Sequence, residues 1–241
     1  MIGLRALRHL REEYQYCEKC PLLCDRLGPV FGSGSATADI VIVGEAPGEK
    51  EDQECLPFVG KSGRLLLQLI EKAWPDHDER MQEARECDDD VTYYEKVRDV
   101  VETHVFLTNT ILCRPTDNRT PATSEIKECR DRLHKTIYAI DPTLVIAAGK
   151  TAASTLLGKN VAILNKRGTI FDIAITSPVT GRKVRYPMLA ILHPSYLLRK
   201  GDKTLVRQKK GDTYQTIGDL RYGLEIIRTH YSAARNRTFP I

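Results

Sequence analysis

Four of the seven cysteines fall where a single metal centre could use them: Cys17 and Cys20 as a C-x-x-C pair, then Cys113, then Cys129 sixteen positions further on. The pair can reach one centre from a single turn of chain. Cys113 ends an apolar run and Cys129 lies in the helical pattern that follows, so a fold can return both to one corner. Thiolate quartets hold either zinc or an iron–sulfur cluster, and ligand count does not choose between them. Buried cysteines without metal are the plainer alternative. Cys24, Cys55 and Cys87 are left over, and Cys24 lies close enough to the pair to compete with it as a ligand.

A second concentration of chemistry is GEAPGEKEDQECLPFVGKSG, residues 44–63. It follows the apolar run ADIVIVG and precedes RLLLQLIEKAW, which has helical spacing. Irregular loops between strand and helix are where α/β proteins bind ligands. Neither phosphate-loop pattern applies, because GxxxxGK[ST] is absent and the glycines are too scattered for GxGxxG. A third group, HPSYLLR from His193 to Arg199, follows the last apolar run; a histidine or a helix-capping serine there has structural uses too.

The elements that must position these groups alternate. Apolar stretches at Asp39–Val43, Val105–Leu112, Thr143–Ala148 and Pro187–Leu192 read as strands. Helical patterns occupy 63–74, 123–139, 150–157 and 213–231, with Thr123 or Ser124 as the expected cap of the second. Such alternation predicts an α/β fold: three layers, α/β/α, around a central four-stranded, mainly parallel sheet, in one domain. Residues 75–103 read as an acidic insertion with some helix of its own, and 161–185 as an enlarged loop or β-hairpin turning at SPVTG.

A hydrophobic fraction of 41% and a charged fraction of 28% describe a soluble globular chain. No run is long enough to span a membrane, and the amphipathic N-terminus lacks a signal-peptide core, so a cytoplasmic protein is expected. Seven cysteines in such a setting argue against a disulfide framework. The net charge of +4 is uneven: residues 75–103 hold eleven Asp/Glu against four Lys/Arg, leaving +11 for the remainder. Basic residues gather in 159–185 and 196–212. A polyanion such as DNA is one explanation of that face and simple solvation is the other.

Three segments in order, GEAPGEKEDQECLPFVGKSG, TNTILCRPTDNRTPATSEIKEC and HPSYLLR, together with the four cysteines, resemble the family 4 uracil-DNA glycosylases. The resemblance covers roughly residues 17–74, 105–158 and 186–228. It implies that Cys17, Cys20, Cys113 and Cys129 ligate a [4Fe–4S] cluster, and it favours iron over zinc. It implies a DNA substrate whose flipped pyrimidine, uracil first, loses its N-glycosidic bond to leave an abasic site. Phe58 would then stack on the base, Asn109 would pair with its edge, and Ala46 would line the same pocket. His193 would face the base O2 and stabilise the departing anion. Glu45 would orient water and stabilise the cationic sugar. Glu51 would lie near C5 and help exclude thymine. Pro47, Gly48 and Ser62 would approach phosphates, while Ser195, Tyr196, Leu197, Leu198 and Arg199 would enter the minor groove with an apolar wedge.

Two departures qualify that resemblance. The family usually has Gly-Arg before Pro-Phe, where this chain has Cys55-Leu56, and the interval from Phe58 to Asn109 is enlarged by the acidic stretch. The histidine-bearing loop of covalently trapping relatives is absent, because GKSGRLLLQL follows FV directly, and hydrolytic turnover by a monomer is expected. A glycosylase for modified pyrimidines in anti-phage defence, and a non-catalytic iron–sulfur DNA-binding module, are the competing readings.

Overall fold

A computed structural model of the chain describes residues 2–22, 27–74, 78–201 and 211–227. Its centre is β2 (Ile40–Gly44), a strand buried at every position. Only a strand covered on both faces supports such a run of β-branched residues. It pairs in parallel with β3 (Val105–Asn109), Ile40 opposite Val105 and Gly44 opposite Asn109, and on its other side with β4 (Leu144–Ala148). The second half of β6 (Lys183–Ile191) runs parallel to β4. These are the four expected strands, but among the described residues the sheet has six, in the order β1-β3-β2-β4-β6-β5. The additions are antiparallel edges: β1 (Ser33–Gly34) beside β3, and β5 (Ile170–Thr176), which pairs with residues 183–189 of β6 as the hairpin expected in 161–185. β3 stops short of its expected end at Leu112. After Asn109 both the amide and the hydroxyl of Thr110 bond to the Gly44 carbonyl, at 2.9 and 2.8 Å, and turn the chain.

Alternation along the strands makes two apolar layers. Ile40, Ile42, Leu107, Ile146 and Leu189 belong to one, with α3 (Lys61–Ala73), α9 (Pro194–Arg199) and α10 (Gly211–Ile226). Val41, Val43, Phe106, Val145 and Met188 belong to the other, with α1 (Ile2–Gln15), α6 (Thr123–Ile140) and α7 (Lys150–Leu157). The expected helix 213–231 corresponds to α10, and residues 228–231 lie outside the described residues. The acidic stretch contains α4 (Glu79–Arg85) and α5 (Asp90–His104). Met81, Ala84, Val97, Val100 and Val101 bury themselves in the α3 layer, so this stretch is packed into the fold as well as carrying charge. Neither Thr123 nor Ser124 caps α6. The cap is Ala122, which has no side-chain acceptor; Glu125 reaches back to accept from its amide at 2.7 Å, the reciprocal half of a capping box. Among the described residues no helix is long and apolar enough to cross a membrane.

Candidate active site

The carboxyl ends of the parallel strands carry Glu45 after β2, Gly149 after β4 and His193 after β6. Together with Ala46, Pro47, Gly48, Ser195, Tyr196 and Arg199 they line a cleft of about 510 Å³. Its far wall is Pro115 and Asn118–Thr120, the 3₁₀ turn after β3, with Lys150, Ile163 and Leu164.

His193 is the cap of α9, and this sets its chemistry. The Ser195 amide donates to His193 Nδ1 at 3.1 Å, and the Ser195 hydroxyl lies 2.7 Å from the same nitrogen. An accepting Nδ1 puts the proton of the neutral ring on Nε2. Burial, with the Arg199 cation as the smaller cause, lowers the His193 pKa from 6.5 to about 4. The ring is therefore a neutral donor over the physiological range. Gly149, at φ +94°, makes room for it: a Cβ there would stand 2.8 Å from His193 Cβ.

The Glu45 carboxylate accepts a short hydrogen bond from the Thr151 hydroxyl in the first turn of α7. Immediately before Glu45, Gly44 brings two expected base contacts together. A Cβ on Gly44 would collide with Asn109 Oδ1 and lie 2.8 Å from Phe58 Cζ. The Phe58 ring and the Asn109 amide thus meet across a bare backbone, both nearly buried at 6% and 3% exposure, behind Glu45 and outside the cleft lining. Phe58 is held at φ +57°, a strained value for an aromatic residue. Two contacts hold it: Arg98 of α5 donates to the carbonyls of Pro57 and Phe58, and the Phe58 backbone rests against Gly63 where no side chain would fit.

Several expected contacts lie elsewhere. Glu51 spends both carboxylate oxygens on the loop itself, accepting from the amides of Gly60 at 2.7 Å and Gly48 at 3.2 Å. It braces residues 48–60 and does not line the cleft. Leu197 is 1% exposed, packed in the α3 layer, because the turn that His193 caps points it inward. Leu198 is partly buried against the same layer. Ser62 is half-buried in the first turn of α3, also off the cleft. Arg199 is exposed and donates to Ser195 Oγ at 3.2 Å, linking it to the histidine. The basic stretch 196–212 lies partly outside the described residues.

Behind β3, on the opposite face from α3, Cys17, Cys20, Cys113 and Cys129 line one small pocket with Tyr14, Lys19, Leu112 and Glu128. All four are thiols and not disulfides. Among the described residues no three His, Cys, Asp or Glu groups are gathered closely enough for a single metal ion. Cys24 lies outside the described residues. Arg132 is wholly buried beside the pocket and donates to Thr108 Oγ1 and to the carbonyls of Asn109 and Thr110. Burial pushes its pKa down, while Cys129, Tyr14 and Cys113 favour the charged form.

Arg98, Thr151 and Arg132 escaped sequence reasoning. The only signal was at Arg98, a base in an acidic stretch with Glu102 four residues on, at 2.7 Å in the structure.

The family model of the uracil DNA glycosylase superfamily matches residues 31–217. Among curated proteins, the chain is 34% identical to a type-4 uracil-DNA glycosylase of Thermotoga maritima, over 81% of this chain and 85% of that one. A type-4 uracil-DNA glycosylase of Archaeoglobus fulgidus is 27% identical over 90% of this chain and 94% of its own length. One from Saccharolobus solfataricus is 32% identical over 77% of each.

Proposed function

The chain belongs to the uracil-DNA glycosylase superfamily, within its type-4 group, and from that membership and the cleft we propose that it removes uracil from DNA by hydrolysing the N-glycosidic bond. The product is an abasic site in an unbroken strand. A base inside a duplex is out of reach, so the nucleotide is flipped out and enclosed. The observation that carries the reading is the neutral His193, its Nδ1 engaged by the Ser195 amide at 3.1 Å, in the same cleft as Glu45.

As the bond breaks, the electron pair stays with the base and negative charge collects on O2. The Nε2–H of His193 donates to that oxygen. A neutral donor suits this task, because an imidazolium would need a proton on Nδ1, where the Ser195 amide already points its own. A preorganised donor of this kind is worth roughly 10²–10³ in rate. The sugar becomes cationic, and the Glu45 carboxylate, fixed by Thr151, stabilises it and orients the attacking water. Asn109 reads the base edge: its amide donates to O4 and accepts from N3–H, a pairing that cytosine does not offer. Phe58 supplies the stacking surface, and its buried position requires the loop to adjust as the base enters. Arg199, Tyr196 and the backbone of Pro47–Gly48 lie at the rim and hold the DNA.

Cys17, Cys20, Cys113 and Cys129 hold a [4Fe–4S] cluster in this reading. Four thiols around one pocket, yet not within reach of one ion, suit a polynuclear group, and the buried Arg132 supplies charge for an anionic one. When bound, the cluster ties the N-terminal segment to β3 and α6.

Incubating the protein with oligonucleotides containing uracil, thymine or modified pyrimidines, followed by alkali, tests the reaction. Breaks at uracil support it; breaks only at a modified base, or none at all, overturn it in favour of a defence glycosylase or a binding module.

A further inference from the structure

Arg132 sits in mid-α6 with no exposed surface, and its surroundings divide into two sets. Toward the sheet, Nη1 donates to Thr108 Oγ1 at 3.2 Å, and Nη2 donates to the carbonyls of Asn109 at 2.7 Å and Thr110 at 3.0 Å. These are three consecutive residues at the carboxyl end of β3. On the other side is the cysteine pocket. Cys129 lies three residues earlier on the same helical face, and Cys113 is the second thiol that favours the charged guanidinium, while burial keeps the neighbouring Tyr14 phenol protonated. Nε is buried and has no hydrogen-bond partner among the described residues.

A guanidinium does not shed its proton in a protein, so a cation this deep needs a counter-charge. The groups that most favour its charged form are Cys129, Tyr14 and Cys113. The two thiols are charged when they ligate metal.

We propose that Arg132 is a positioning residue coupling the cysteine quartet to the base-contacting end of β3: ligating thiolates hold the guanidinium, and the guanidinium holds the Asn109 backbone. The coupling rests on the reading that the quartet carries a cluster and that Asn109 contacts the base. It gives the cluster a function at the active site without placing it there. Loss of the thiolate charge leaves Arg132 uncompensated, the anchor on Asn109 and Thr110 loosens, and base capture suffers before DNA binding does.

The test compares the full chain with Arg132→Met and Arg132→Lys, each reconstituted anaerobically with iron and sulfide. Iron per chain, the reduction potential of the bound cluster, single-turnover uracil excision and binding of uracil-free DNA are measured. Arg132→Met, which fills the space without charge, is expected to move the potential to more negative values and to slow excision about 10–100-fold, with uracil-free DNA bound as before. Arg132→Lys keeps the charge and restores the potential, but excision recovers only in part, because an ammonium does not reproduce the planar fork. Unchanged potential and unchanged excision in Arg132→Met overturn the coupling. Should that variant not fold, Arg132→Lys decides: wild-type excision from it overturns the positioning role. A wild-type chain that takes up no iron overturns the underlying cluster reading instead, and is recognised by the absence of cluster absorbance in every sample.

Discussion

His193, after β6, and Arg132, beneath the end of β3, are both basic side chains drawn out of water, and in both burial opposes the charged form. Their surroundings send them to opposite states. His193 starts near neutrality, burial and then the Arg199 cation disfavour its charged form, and it settles as a neutral ring with a pKa of about 4. Arg132 starts far higher, and Cys129 and Cys113 favour its charged form, so it remains a cation. Desolvation alone does not determine what a buried base does; the starting pKa and the sign of the neighbours decide it. One region supplies a donor that carries no charge, the other a charge that donates to backbone.

The largest effect should come from deleting the neutral donor. His193→Ala is expected to lower single-turnover uracil excision about 10²–10³-fold while DNA binding is retained, because the contact strengthens as charge develops. Excision at the parental rate would remove His193 from the chemistry and leave the comparison with Arg132 purely structural.

Next is the support of Glu45. Thr151→Val keeps shape and removes the hydroxyl that donates to the carboxylate. A hydrogen bond to a charged group contributes about 1.5–3 kcal/mol, so a loss of about tenfold or more in single-turnover rate is expected, with Thr151→Ser close to wild type. Equal rates for Val and Ser variants would show that Glu45 needs no such anchor.

The pH dependence sharpens the same contrast. Because the folded His193 pKa lies near 4 and the ordinary value is 6.5, the unfolded chain takes up a proton between those values and the folded chain does not. Stability from this residue is therefore complete above pH 6.5 and declines as pH falls toward 4. Half-buried His134 is also held low, so the comparison must be with His193→Asn, whose stability should fall less over that window. Excision should show no step near 6.5 from this ring. NMR titration of His193 near 6.5 would contradict the geometry around Nδ1.

The parallel strands were legible because full burial writes an unbroken apolar run, as in β2. Strand β1 was not: two residues, one of them glycine, leave no pattern. The acidic stretch reads as an outgrowth because its core residues are spaced among eleven carboxylates. At the site, eight of the singled-out residues line one cleft, including Glu45 and His193. The burial of Leu197 was not legible because the turn capped by His193 sets which face of α9 packs inward, and a run of Leu-Leu does not reveal it. Arg98, Thr151 and Arg132 act across separations of 40, 106 and 22 residues, and their contacts exist only once the chain has folded.

The smallest expected effect is a control for both regions. Cys55, standing where the resembling family usually has glycine, ends α2 (Glu49–Glu54) at φ 51° and ψ 29°, in the left-handed region. A residue with a Cβ pays about 1–2 kcal/mol there, and glycine avoids this while giving up about 0.5–1 kcal/mol of unfolded-chain freedom. The side chain contributes little in return: it is exposed, and its thiol lies 3.8 Å from the Asp52 carbonyl. Cys55→Gly should therefore stabilise the chain by about 0.5–1 kcal/mol, raising the thermal midpoint by about 2 °C. Iron content and the His193 titration should not move, since Cys55 belongs to neither the quartet nor the cleft lining. A fall in iron on this substitution would place Cys55 among the ligands and undo the assignment of the quartet.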